Sequence, residues 1–140
     1  HNLDTAKHLE PRNAVDALIE TPSGPLRVIG THLSLLAAAR WHEVQRLISL
    51  VNRAEETSSY PMLLTGDINE WRGGARLLKY LDGHMQALPC RRTFPSFCPV
   101  FHLDRAWARH AGGRISARRL DAKEVRGVSD HLPLLIEWAL

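Results

Sequence analysis

The sequence predicts a mixed α/β (α+β) layer fold. Short apolar runs of strand length, bounded by Gly and Pro, lie on both sides of one long segment with helical period. The resulting element order is β-β-α-β-α-β-β-β. With 140 residues, 44% hydrophobic and 24% charged, the chain suits one domain of ordinary globular balance. That balance excludes wholesale disorder and collagen-like repeats.

The elements follow in order. Ala14 to Glu20 alternates partly through Val15, Leu18 and Ile19. Thr21-Pro22-Ser23-Gly24-Pro25 breaks it with strong turn chemistry, and Leu26 to Thr31 resumes, so the two runs predict a β-hairpin. From Ala37 to Glu56 the period changes: Trp41, Val44, Leu47, Ile48 and Val51 share one helical face, with Arg40, Glu43, Arg46 and Arg53 on the remainder. Ser58-Ser59-Tyr60-Pro61 ends that helix. Met62 to Thr65 predicts a buried strand running into Gly66-Asp67-Ile68-Asn69. A short helix over Ala75 to Leu81 buries Leu77, Leu78 and Leu81 and stops at Gly83. Residues 84 to 100 read as loop. Phe101 to Trp107, Arg114 to Leu120 and Leu134 to Trp138 are the last three strand candidates.

No apolar run approaches the roughly 20 residues that span a bilayer. The polar start His1-Asn2-Leu3-Asp4 has no signal-peptide pattern, and its lack of Met suggests a fragment or processed product. Lys and Arg total 18 against 15 Asp and Glu, a net +3. This permits a phosphate-bearing substrate without establishing one. Arg114, Arg118, Arg119, Lys123 and Arg126 crowd the last third and read as a solvated basic stretch rather than a nucleic-acid stripe. Two cysteines, Cys90 and Cys98, are too few for a disulfide scaffold and match no zinc pattern. The expectation is packed or loop thiols in a reducing, cytoplasmic compartment.

Polar residues cluster at three strand ends: Thr31-His32-Leu33, Gly66-Asp67-Ile68-Asn69 and Ser129-Asp130-His131. Each alone reads as a turn or a cap. Together they supply two histidines, two carboxylates and an amide, the ingredients of metal-assisted phosphoester cleavage. Histidine offers a base near neutral pH, and a carboxylate beside it can orient the ring. Other templates fail. His42-Glu43 lacks the second His of H-E-x-x-H, the run from Asp67 lacks the later calcium ligands, and neither a Walker A motif nor a nucleophile elbow occurs.

In this order the motifs resemble the endonuclease/exonuclease/phosphatase superfamily, with its deoxyribonuclease-I-like fold. The matching residues are Thr31-His32-Leu33, Arg40, Gln45, Gly66-Asp67-Ile68-Asn69, Thr93-Phe94-Pro95, Leu103-Asp104 and Ser129-Asp130-His131, with Glu10-Pro11-Arg12-Asn13-Ala14 similar to a run in bacterial members. The resemblance covers nearly the whole chain, as the C-terminal half of such a domain. It implies a mixed, largely antiparallel sheet with helices on one face, half of a four-layer α/β/β/α sandwich. It also implies hydrolysis of phosphoesters with Mg²⁺, or Mn²⁺. Substrates of the superfamily include nucleic acids, inositol phosphates and the phospholipid sphingomyelin.

Carried over by residue, His32 would contact the scissile phosphate, Asp67 would orient the attacking water and Asn69 would hold a phosphate oxygen. Asp130 would orient His131 and lie near the metal, with Asp67 as a second metal-site carboxylate. His131 would act at the phosphate, and Asp104 would support that histidine. The N-terminal half, with the family's principal glutamate ligand, has no counterpart here. A half-sandwich exposes an apolar sheet face at roughly 25 cal/mol per Å². A missing half or a second copy of the chain would cover it. The alternative function is a non-catalytic half-domain that self-assembles or binds phosphate-bearing ligands.

Overall fold

A computed structural model describes residues 1–3, 12–121 and 127–139. Glu10, Pro11, Lys123 and Arg126, singled out above, lie outside the described residues.

The predicted hairpin forms. Strands β1 (Ala14–Thr21) and β2 (Gly24–His32) pair antiparallel from Ala14↔Thr31 to Thr21↔Gly24. The Thr21 hydroxyl donates to the Gly24 carbonyl at 2.6 Å, and Gly24 takes a φ of 112° that a side chain would disfavour. The chain then crosses over in α1 (Ala37–Thr57) to β3 (Met62–Asp67), which lies parallel to β2. A parallel neighbour requires such a crossover, and the alanine-rich start of α1 favours helix. Helix α2 (Arg76–Asp82) ends at Gly83, as expected, with Gly83 itself in right-handed geometry.

Three details differ from the expectation. A two-residue strand, β4 (Gln86–Ala87), forms within the segment read as loop. Strand β5 spans Asp104–Arg109 rather than starting at Phe101, because Phe101 turns back to bridge Phe94. The last two strands, β6 (Arg114–Arg119) and β7 (Leu134–Ala139), form their own antiparallel sheet. The main sheet is therefore ordered β1-β2-β3-β5-β4, with antiparallel neighbours except β2 and β3.

Both faces of the main sheet are used. Helices α1 and α2 cover one, where Val44, Leu47, Ile48 and Val51 pack with Ile29, Leu64 and Trp107. On the other, Ile115, Ala117, Ile136 and Trp138 of the small sheet pack over Leu63, Ala106 and Ala108. Among the described strand residues, the large apolar side chains left exposed lie on the hairpin, where Val15 is 69% and Ile19 45% exposed, while loop residues such as Leu35, Trp71 and Phe97 are exposed elsewhere. Among the described residues no helix is long and apolar enough to cross a membrane.

The helix face also needs correction. Arg40 and Glu43, expected on the polar remainder of α1, are buried. They stand four residues before Val44 and Leu47, on the same stripe as the core residues. Each has a partner that compensates the loss of water, as described below.

Gly66 closes β3. A Cβ built there would sit 1.8 Å from the Thr31 carbonyl oxygen, at a φ of +152°. Gly66→Ala should lower stability by about 3 kcal/mol or more, read as a drop in the urea midpoint at unchanged slope. A loss under about 1 kcal/mol would show that β2 and β3 can separate locally at no consequence.

Candidate active site

Strand register builds the site. His32 ends β2, Asp67 ends β3 and Asp104 begins β5. His32 pairs with Asp67, and Asp67 pairs with Asp104, so three chemically active residues stand in one row across one edge of the sheet. Ligand-binding groups favour such strand ends, where the sheet holds them rigidly yet open to solvent.

Loop 129–132 then brings His131 to that row. Thr93 O accepts from Leu132 N at 2.9 Å, and Ser96 N donates to Asp130 O at 2.7 Å. The Ser96 hydroxyl donates to Ser129 O at 2.8 Å. The Phe94–Pro95 peptide between them is cis. The His131 ring lies 4.8 Å from the Phe94 ring, centroid to centroid.

His131 Nδ1 is 2.7 Å from Asp104 Oδ2, which also accepts from the Thr93 hydroxyl. This leaves Nε2 directed to Asp67 Oδ2, at 3.8 Å. His32 Nε2 approaches the same Asp67 oxygen at 3.5 Å. The other Asp67 oxygen accepts from Asn69 N at 2.9 Å. Asn69 has a φ of 54°, and its side-chain amide donates to Leu33 O at 2.7 Å. Leu33 N donates to Asp67 O at 2.9 Å, so the two loops brace each other.

The residues expected from the sequence therefore meet around one cavity of about 730 Å³: His32, Asp67, Asn69, Asp104, Asp130 and His131 all line it. One relation is corrected. Asp130 was expected to orient His131, but the ring is held by Asp104, from β5. Asp130 is exposed at the mouth and acts on His131 through its charge.

The electrostatics follow from burial and charge. Burial raises the Asp67 carboxyl, the Asn69 N–H opposes this, and the Asp104 charge raises it further against the pull of both histidines; the net shift is upward. Burial alone would lower His131. The Asp104 hydrogen bond and the charges of Asp104, Asp67 and Asp130 outweigh it, so His131 is raised above 6.5. An imidazole so placed can hold or release a proton near neutral pH.

Behind the site lies a buried ion network that the residue types concealed. Glu43 accepts from the Ser34 N–H at 2.9 Å and from the Ser34 hydroxyl. Arg40 donates to the carbonyls of Ser34 and Leu35 and, at 3.1 Å, to Glu70. Glu70 also accepts from the Arg72 backbone and side chain. One helix thereby fixes the loop after His32 and the loop after Asp67. Thr93 and Phe94 were visible only as part of a motif, with no role to infer; their contacts with Leu132 and His131 lie far away in sequence.

The donor set is oxygen and imidazole, suited to a hard or borderline cation. Among the described residues, however, no group of three or more His, Cys, Asp or Glu is arranged to hold a metal ion. Mg²⁺ is commonly held by one or two carboxylates with water and substrate oxygens. The described residues supply at most such a partial set.

Two outcomes follow. Asp104→Asn should lower the His131 titration midpoint, followed by the ring proton resonances; an unchanged midpoint would mean Asp104 does not set it. Because the folded value lies above the ordinary one, the stability due to His131 is full below pH 6.5 and fades as pH rises through the folded value. Separately, Glu70→Ala should cost about 3–5 kcal/mol in chemical denaturation, since it leaves Arg40 charged and unpaired in the core. A loss below about 1 kcal/mol would contradict the network's role.

No family model matches the chain. It is 30% identical over 118 residues to the uncharacterized protein YbhP of Escherichia coli K12, which is 80% of this chain and 46% of that protein. The chain thus spans about half the length of the curated relative it matches. Its fold superposes on the mannosyl-6-phosphatase Bt3783 of Bacteroides thetaiotaomicron with a TM-score of 0.75 at 15% identity, over 96% of this chain and 60% of that one. For an endonuclease/exonuclease/phosphatase family protein of the same organism the TM-score is 0.73 at 16% identity, over 94% and 57%. For Staphylococcus aureus beta toxin with bound magnesium ions it is 0.69 at 14% identity, over 91% and 58%. The chain therefore has the fold of part of an endonuclease/exonuclease/phosphatase sandwich.

Proposed function

We propose that this chain carries much of the centre of a divalent-metal-dependent phosphoester hydrolase, acting on phosphodiesters. The observation that carries the reading is the His32–Asp67–Asp104 row with His131 locked on Asp104 and aimed at Asp67. The fold shared with a mannosyl-6-phosphatase and the magnesium ions of beta toxin support it.

The residues take these parts. Asp104 holds the His131 ring by Nδ1, fixing which nitrogen faces the cavity. His131 Nε2 then holds or moves a proton at the phosphate or at the attacking water. Asp67 orients that water between the two imidazoles. His32 stabilises the charge that grows on the phosphoryl oxygens. Asn69, held by Leu33 O through one N–H, offers its second N–H to a phosphate oxygen. Asp67 and Asp130 would hold a bound Mg²⁺ or Mn²⁺, which would supply Lewis-acid neutralisation of phosphoryl charge.

A second reading, a half-domain that assembles with a partner or binds phosphate without cleaving it, is favoured by the partial metal set and the exposed Val15 and Ile19. Hydrolysis of bis-p-nitrophenyl phosphate separates the two. The first reading expects turnover with Mg²⁺ or Mn²⁺, its loss in chelator, and a drop of about 10²–10⁴-fold in His131→Ala. Absence of turnover under all three conditions, or equal rates in His131→Ala, would transfer the case to the second.

A further inference from the structure

We propose that this cavity selects phosphoesters bearing an apolar group, through a wall formed by Leu35, Trp71, Phe94 and Phe101. The inference rests on the phosphoester-hydrolase reading and names the class of substrate for it.

The wall comes from three separate loops, after β2, after β3 and before β5, which converge on one cavity. Three of its members lie open to water: Leu35 is 69%, Trp71 52% and Phe101 41% exposed. Phe97 and Val100, on the same loop as Phe94 and Phe101, extend the exposed apolar surface. Exposed apolar groups scattered singly need no explanation, but their concentration around an ionisable centre marks a binding surface.

The wall is also placed in advance. The Arg40 guanidinium stands 5.8 Å from the Trp71 ring centre. Phe94 stands 4.8 Å from the His131 ring and 6.4 Å from Phe101. The apolar surface therefore begins in contact with the His131 imidazole. An apolar substituent joined to the phosphate through one ester oxygen would meet it directly.

A polyanionic substrate fits less well. Neutralising successive phosphates needs several Lys or Arg along a groove. Among the described residues lining the cavity there is one arginine, Arg12, against three aspartates. On β6, Arg118 pairs with Glu137, while Arg119 on its other side pairs with Asp121.

The test measures binding of methyl, butyl and octyl phosphate and of a nucleoside monophosphate to the full chain by calorimetry. Each methylene that reaches the wall is worth roughly three- to fourfold in affinity. Octyl phosphate should bind at least about tenfold tighter than methyl phosphate. Trp71→Ser and Phe101→Ser should flatten the series, and Leu18→Ser, on the exposed hairpin, should not. Equal affinity across the series, or tighter binding of the nucleoside monophosphate, overturns the proposal. The matching p-nitrophenyl diesters separate this inference from the reading beneath it: chain-length-dependent binding without any turnover keeps the selectivity and sinks the hydrolase. Co-sedimentation with vesicles of phosphatidylcholine and phosphatidic acid, lost in Trp71→Ser, assigns the ester to a lipid headgroup. Octyl preference without co-sedimentation assigns it to a dissolved ester.

Discussion

Slipping β3 by one residue against β2 would turn Asp67 to the opposite face of the sheet and dissolve the His32–Asp67–Asp104 row. Hydrophobic alternation does not prevent this slip. Met62-Leu63-Leu64 is apolar on both faces, because helices cover one and the small β6–β7 sheet covers part of the other. The register is held at its polar end instead. Gly66 lies against the Thr31 carbonyl where no side chain fits. Next to it, Leu33 N reaches Asp67 O and the Asn69 amide reaches Leu33 O. The residues that fix the strands are the neighbours of those that face the cavity.

Helix α1 adds a second level of control. Arg40 and Glu43 would be poor choices for a core on burial cost alone. Their return is positional: together with Glu70 they tie the segment after His32 to the segment after Asp67 through hydrogen bonds of fixed direction. An apolar pair of equal volume could fill the same space, but it would leave the backbone groups of Ser34 without these partners. Preorganisation of this kind is what a site needs when its groups must hold charge with little rearrangement.

Much of the architecture was legible in sequence. The hairpin followed from its turn residues, α1 from its period, and the three polar strand ends from their placement after or before apolar runs. What escaped has physical causes. Arg40 and Glu43 sit at core spacing, but nothing local in the sequence shows the distant partners that let charged residues be buried there. Strand β4 is two residues long, below any periodic signal. Asp104 holds His131 across 27 residues of sequence, and only the turn of the 93–96 segment onto the 129–132 segment brings them together. Local pattern carries no information on such a pairing, whereas the family resemblance placed Asp104 beside the terminal histidine without its geometry. The apolar cavity wall was equally hidden, since Leu35, Trp71 and Phe101 belong to three loops with no shared period.

If the two imidazoles and Asp67 form one phosphate-handling centre, phosphate binds between them. A crystal structure of the chain grown with Mg²⁺ and inorganic phosphate is the decisive measurement. A phosphate is expected in the cavity, with oxygens within hydrogen-bond distance of Nε2 of both His32 and His131 and the Asp104 contact intact. A cavity without phosphate at saturating concentration, or His131 turned away from Asp67 and bonded elsewhere, would contradict such a centre.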